Sequence, residues 1–125
     1  MIFRKRYAIT TIISILFFQS ILQSCEWEQR PEINLNDLPE EVSFTNDIIP
    51  IFENSCIRCH NGTIPPDLTS ENAYLEITGG GLVSPGEPQN SKFYEKIDGG
   101  SMTQYANDLD RAFISKWIEQ GAEEN

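Results

Sequence analysis

One histidine, His60, stands in 125 residues. A proton relay between two imidazoles is therefore excluded, and so is any metal site that needs two of them. Three cysteines are too few for a scaffold held together by disulfides. Basic residues are scarce: 9 Lys and Arg face 19 Asp and Glu, a formal net charge of −10. The chain lacks the basic footprint of a nucleic-acid binder. Seven prolines and eight glycines without a period exclude a collagen-like chain, and 39% apolar with 22% charged residues excludes a broadly disordered one. The longest apolar run, Ala8 to Leu22, covers 15 residues and is diluted by Thr10, Thr11, Ser14, Gln19 and Ser20. A membrane-spanning helix needs about 20 predominantly apolar residues. The length allows a single domain of ordinary size.

What is present begins with an address. Arg4, Lys5 and Arg6 precede the apolar run, the pattern of a secretory signal peptide. The run ends Leu22-Gln23-Ser24-Cys25, which resembles the lipobox of bacterial lipoproteins: an aliphatic residue, a small residue next to the cysteine, then the cysteine. The resemblance implies a signal peptide over residues 1–24, cleavage before Cys25 and a diacylglycerol on its sulfur. It implies an exported bacterial lipoprotein, anchored in a membrane through Cys25 and facing the periplasm or the cell surface. An ordinary signal peptide and an uncleaved anchor are the alternatives. After cleavage the chain keeps Cys56 and Cys59 besides the lipidated cysteine, and Met102 is its one methionine.

Residues 25–43 read as a lipid-anchored acidic tether. From Glu26 to Ser43 there are six acidic residues, two prolines and no apolar period. As a coil these 18 residues span about 23 Å, at about 5–6 Å × √n, which lifts a small domain off a lipid surface.

Helical patterns fill residues 44–125, and no stretch alternates long enough for a strand, which predicts an all-α class. Phe44 to Asn54 has Thr45 or Asn46 as N-cap and Asp47 at the positive end of the helix dipole. Its apolar face is Ile48, Ile49, Ile51 and Phe52, and Pro50 falls in the first turn. Ser70 to Ile77 has a serine N-cap and stops at Gly79-Gly80-Gly81. Pro88 to Ile97 buries Phe93, Tyr94 and Ile97 and stops at Gly99-Gly100. Asp110 to Gln120 has an aspartate N-cap, buries Phe113, Ile114, Trp117 and Ile118, and ends at Gly121.

About 80 residues of short helices make a thin core, and domains of that size often need a staple such as a metal or cofactor. The sequence Cys56-Ile57-Arg58-Cys59-His60 supplies one. Two cysteines at i and i+3 share a face at the end of a helix. Haem carries two vinyl groups on adjacent pyrroles. Thiols at this spacing reach both and form thioethers. The following residue is then set beneath the iron, where imidazole is a good axial donor. The run is the pattern of c-type haem attachment. The expectation is one haem c, covalently attached to Cys56 and Cys59, with His60 on the iron. Export agrees with it, because haem is attached outside the inner membrane.

Two other readings stay open at this motif. A dithiol exchanger would want a βαβ frame, for which the chain offers no strands. A zinc site has only Cys56, Cys59 and His60 to draw on, and the adjacent pair Cys59 and His60 rarely shares one tetrahedral ion. The sixth ligand of an iron follows by elimination. Met102, 42 residues after His60 in the loop before the last helix, is the only thioether of the mature chain. Thioether sulfur favours Fe(II), so a His60/Met102 pair raises the reduction potential. The alternative is a Met102 that only fills space over a five-coordinate iron.

Three segments together, FTNDIIPIFENSCIRCHN, SPGEPQNSKFYEKI and DLDRAFISKWIEQGAEEN, resemble the class I cytochromes c. The resemblance is to the small planctomycete-type cytochrome c domain carried by lipoproteins. That family has an Asp-aliphatic-x-Pro-Ile helix running into the haem motif, a Pro-Gly-x-Pro-x-x-Ser turn and a Trp-Ile-x-x-Gly-Ala ending. The resemblance covers residues 44 to 125. It implies a small cytochrome c-like fold, about four short helices wrapped around a covalently bound haem. It also implies haem on Cys56 and Cys59, proximal His60 and distal Met102. The first and last helices would cross with an aromatic from each, the roles that Phe52 and Trp117 match. One departure stands out. Where the family usually has Met-Pro-Pro, this chain has Met102-Thr103-Gln104, and without prolines the loop loses pre-organisation.

The expected function is that of a membrane-tethered monohaem electron carrier between respiratory or periplasmic redox partners. No enzyme activity is expected: with the one histidine on iron, no general base stands beside a nucleophile. The acidic surface predicts partner proteins with basic docking patches. A haem-based sensor or small-ligand-binding module with a labile Met102 is the alternative, motivated by the missing prolines. A dithiol redox protein is a further one.

Overall fold

Ser43 begins the helical structure. Its hydroxyl accepts from the amide of Asn46 at 3.1 Å, and its own amide donates to Asp47 at 2.8 Å. The computed structural model describes residues 38–125, so the signal peptide, Cys25 and residues 25–37 of the expected tether lie outside the described residues. The expected cap, Thr45 or Asn46, is corrected to Ser43, whose extended backbone precedes a chain already helical at Phe44.

The first segment, Phe44–Ile48, is wound as a π-helix and runs straight into α1 (Ile49–Ser55). The wide turn lies just before Pro50, which has no N–H to donate and whose ring crowds the carbonyl one turn back. The chain continues through a short π-helical turn, Leu75–Gly79, and a 3-10 turn, Pro88–Asn90. Then come α2 (Lys92–Ile97), a second 3-10 turn, Thr103–Tyr105, and α3 (Asp108–Glu119). Among the described residues there is no strand, in agreement with the all-α expectation.

Three expected helices change shape for local reasons. Ser70 does not cap a helix over residues 70–77. Asp67 organises this stretch instead, accepting from the Thr69 amide at 3.0 Å, the Thr69 hydroxyl at 2.8 Å and the Asn72 amide group at 2.8 Å. The expected helix Pro88 to Ile97 is split at Ser91, whose backbone is extended. The buried Ser91 hydroxyl accepts from the Ser84 amide at 2.9 Å and donates to the Glu87 carbonyl at 3.0 Å, which holds the break open. The last helix starts two residues early. Asn107 caps it by accepting from the Asp110 amide at 2.9 Å, and Asp110 returns a bond to the Asn107 amide at 3.0 Å. Asp110 is therefore the third residue of α3, not its cap.

The core gathers around Phe44. Its ring lies 5.1 Å from Trp117, 5.2 Å from Tyr74 and 6.3 Å from Phe52, and Phe52 lies 5.6 Å from Phe93. Phe44 thus stands between the two aromatics that the family resemblance paired. Ile48, Ile114 and Ile118 fill the space around them, whereas Phe113 is only half-buried. The C-terminus folds back on the first segment: Asn125 accepts from the Phe44 amide at 2.7 Å and the Thr45 amide at 3.0 Å. Gln120 accepts from the amide of Val42 at 2.9 Å, and Val42 is buried, so the packed structure takes in residues ahead of Phe44.

Candidate functional site

α1 ends in the cysteine motif. Cys56 and Ile57 donate to the Phe52 carbonyl at 2.8 and 3.0 Å, and Cys59 and His60 donate to the Cys56 carbonyl at 3.1 and 3.0 Å. The motif is thus wound as helical turns, and residues three apart in such turns share a face. The chain then doubles back, and the Leu68 amide reaches the His60 carbonyl at 2.8 Å. Gly62 makes the bend at φ +87°, in the left-handed region that a side chain would disfavour. Buried Leu68 pins the far end of the loop.

Within that loop the His60 ring is oriented by backbone. Nδ1 lies 3.1 Å from the Ile64 carbonyl and 3.2 Å from the Pro66 carbonyl. Carbonyl oxygens only accept, so Nδ1 carries a proton, and in the neutral ring the lone pair is then on Nε2. Metal-ligating histidines are held this way, with the second nitrogen donating to a carbonyl or carboxylate.

Cys56, Cys59, His60 and Met102 line one cleft of about 810 Å³. The volume falls in the range of cofactor sites, about 300–1,000 Å³. Leu68, Leu82, Phe93 and Ile97 make its walls apolar, and Ile64 and Tyr105 beside it are 51% and 55% exposed. Both cysteines are free thiols. The Cys56 thiol is pushed up to about 11 by burial, with the Asp110 carboxylate adding to the effect. It is a neutral thiol at physiological pH, unlike the activated thiolate of a disulfide exchanger. Nor do three His, Cys, Asp or Glu side chains converge as a metal site among the described residues.

Met102 sits on a loop tied at several points. Its amide donates to the Lys96 carbonyl at 2.8 Å, at the end of α2. The Thr103 hydroxyl accepts from the Gly99 amide and donates to the Gly100 carbonyl, both at 2.8 Å. Arg111 reaches across from α3 to the Thr103 carbonyl at 3.4 Å and to the Ala106 carbonyl. Arg111 is itself paired with Asp108 and, at 3.9 Å, with Asp98. Gly100 lets the loop lie on α2: a Cβ there would sit 2.6 Å from the Glu95 carbonyl and 2.8 Å from Lys96 Cα.

All four expected cofactor residues therefore meet at one site. The sequence reading missed Thr103 and Arg111 as loop ties, and the Ile64 and Pro66 carbonyls as the support of His60. Carbonyl partners leave no side-chain pattern, but a threonine after the methionine, in place of proline, was a visible signal. No known protein family, curated protein or solved structure matches the chain. Among the described residues no helix is long and apolar enough to cross a membrane.

Proposed function

We propose that the chain is a monohaem c-type cytochrome of the class I kind, an electron carrier tethered to a membrane through a lipid on Cys25. Cys56 and Cys59 would hold one haem c through thioethers, His60 would ligate its iron from one side and Met102 from the other. A bound haem supplies a one-electron couple between Fe(II) and Fe(III).

The chain's own residues do the rest. The two carbonyls on Nδ1 keep His60 in one tautomer and orientation and strengthen Nε2 as a donor. Leu68, Leu82, Phe93 and Ile97 keep water from the interior of the cleft, and a dry site with thioether ligation favours the reduced state. The exposed cleft mouth, with Ile64 and Tyr105, offers a partner close approach. The fold would then be a cytochrome c-like wrap, in which α1 delivers the cysteines and the loop before α3 delivers the methionine.

The observation that carries this reading is the meeting of Cys56, Cys59, His60 and Met102 on one apolar cleft, with His60 Nδ1 already engaged. The bonding around Thr103 favours a fixed Met102 over the labile one that a gas sensor needs. The neutral Cys56 thiol speaks against a dithiol exchanger. The test is a pyridine haemochrome assay on protein exported alongside a haem-attachment system. A thioether-type spectrum and a mass increase of one haem are expected, and protein without either would end the reading. In the loaded protein, a ferric near-infrared charge-transfer band lost in Met102→Ala assigns the sixth ligand.

A further inference from the structure

α2 faces two ways. Lys92, Phe93, Lys96 and Ile97 line the cleft, whereas Tyr94 and, just past the helix, Asp98 line a second cavity of about 520 Å³. The two cavities share no lining residue. Across the second one stands α3, with a stripe from Asp108 to Glu119 at i, i+3, i+4, i+7, i+8 and i+11. Those positions make one continuous helix face, about 16 Å long at about 1.5 Å per residue. Buried Tyr94 and half-buried Ala112 supply apolar lining, and the aliphatic stems of half-buried Arg111 and Lys116 add to it.

The chain already enters this groove. Gln120, just past α3, accepts from the Val42 amide at 2.9 Å and donates to the Glu40 carbonyl at 2.6 Å. Two residues further back the chain bends at Leu38, which is half-buried and lines the cavity. Ahead of Leu38 stand Ile33-Asn34-Leu35-Asn36-Asp37. Apolar and polar residues alternate from Ile33 to Asn36, so in an extended chain Ile33 and Leu35 share a side. Residues 33–37, when extended, cover about 16 Å at about 3.3 Å each, the length of the α3 stripe.

We propose that residues 33–37 lie along the groove between α2 and α3, with Ile33 and Leu35 seated beside Leu38 against Tyr94 and Ala112. The covalent link to Leu38 selects this occupant over a second copy or a separate partner. A segment joined at the edge of the groove is present there at an effective concentration of about millimolar. A small apolar floor between charged edges suffices for such a neighbour and offers little to a molecule arriving from solution. The strap shortens the tether. Between the lipid site and the seated segment only residues 26–32 remain, about 15 Å as a coil at about 5–6 Å × √n, against about 23 Å for residues 26–43. The seat depends on neither haem nor lipid; the shortened tether alone rests on the lipoprotein reading.

The chain from residue 25 onward is exported behind a cleavable signal peptide, alongside a haem-attachment system, with Cys25→Ser so that no lipid is added. Haem content is assayed separately, so a failure of the carrier reading is seen apart from this test. In isotope-labelled protein the backbone order parameters of Ile33 and Leu35 should match those of α3, about 0.85, and their methyl groups should show contacts to the Tyr94 ring. I33S/L35S should drop residues 33–37 below about 0.6 and leave α3 unchanged. Ala112→Lys, made from the groove side, should release the same residues. Cleavage ahead of Asp37 by endoproteinase Asp-N should be on the order of tenfold faster in I33S/L35S, while cleavage after Glu28 by Glu-C stays equal. Order parameters below about 0.6 at Ile33 and Leu35 in the natural chain would overturn the proposal. So would high values that ignore both sets of substitutions. Methyl-to-ring contacts found only between differently labelled copies would assign the groove to a second copy and equally overturn it.

Discussion

The amide of Gly99 donates to the Thr103 hydroxyl at 2.8 Å, so the loop that carries Met102 is closed on itself by the residue that follows the methionine. That hydroxyl in turn donates to the Gly100 carbonyl at 2.8 Å. Prolines after the methionine would stiffen such a loop by restricting the unfolded chain. Thr103 stiffens it by bonding within the folded one. The two devices draw on different states of the chain and give the same result, a methionine held in place before any ligand arrives.

Thr103→Val should therefore loosen Met102 where Thr103→Ser does not. The valine keeps the shape and removes two hydrogen bonds, each worth about 0.5–1.5 kcal/mol net. Hydrogen exchange at the Gly99 amide should speed up by on the order of tenfold, in line with that energy. If the chain carries the proposed haem, the near-infrared band should weaken in the loaded variant and carbon monoxide should bind faster to its reduced form.

Gly100→Ala should cost more than a surface substitution. The added Cβ would meet the Glu95 carbonyl at 2.6 Å and Lys96 Cα at 2.8 Å, and both are backbone atoms of α2. Overpacking of this kind costs about 1–3 kcal/mol. For a domain of 60–100 residues each kcal/mol moves Tm by about 4–8 °C. Calorimetry should find a clearly lower Tm, and Gly99→Ala is not an equivalent control because Gly99 has φ +113°.

Asp67 gives the domain a defined acid sensitivity. The Thr69 amide, foremost, and then the Thr69 hydroxyl and Asn72 hold its carboxyl below the ordinary aspartate value. A carboxyl lowered by folding adds stability above its unfolded value and loses that contribution as pH falls through its folded one. Denaturation followed between neutral pH and pH about 2 should show a steeper acid loss in the natural chain than in Asp67→Asn.

In the chain with both thiols free, the two cysteines of the motif should differ. Cys56 is half-buried with its thiol pushed up to about 11, whereas Cys59 is exposed. Thiolate is the reactive form, so iodoacetamide should label Cys59 first at neutral pH. Labelling of Cys56 should accelerate as pH climbs toward 11. Folding keeps the neutral form, so the same group takes stability away as pH rises above its ordinary value of 9.0.

Local pattern carried the helical class, and it carried Phe52, Ile48, Ile114, Trp117 and Ile118 into the core. It failed where a side chain competed with the backbone. Ser91 breaks an expected helix because its hydroxyl bonds Ser84 and Glu87, and Asn107 displaces Asp110 as cap because the pair is reciprocal. Phe44 is the central aromatic, yet in the sequence it is one more apolar residue at a helix start.

The sequence by itself determined the chemistry on offer: one imidazole, two thiols three residues apart and a single thioether downstream of them, among helical patterns with no long alternating stretch. These follow from residue identity and local spacing. Only the tertiary structure decided that Ile64 and Pro66 turn their carbonyls to His60, that Met102 reaches the same cleft, and that Arg58, Lys92 and Lys96 gather there while the carboxylates do not. Those relations depend on how the chain returns upon itself across tens of residues, and neither net charge nor the spacing of a motif records that path.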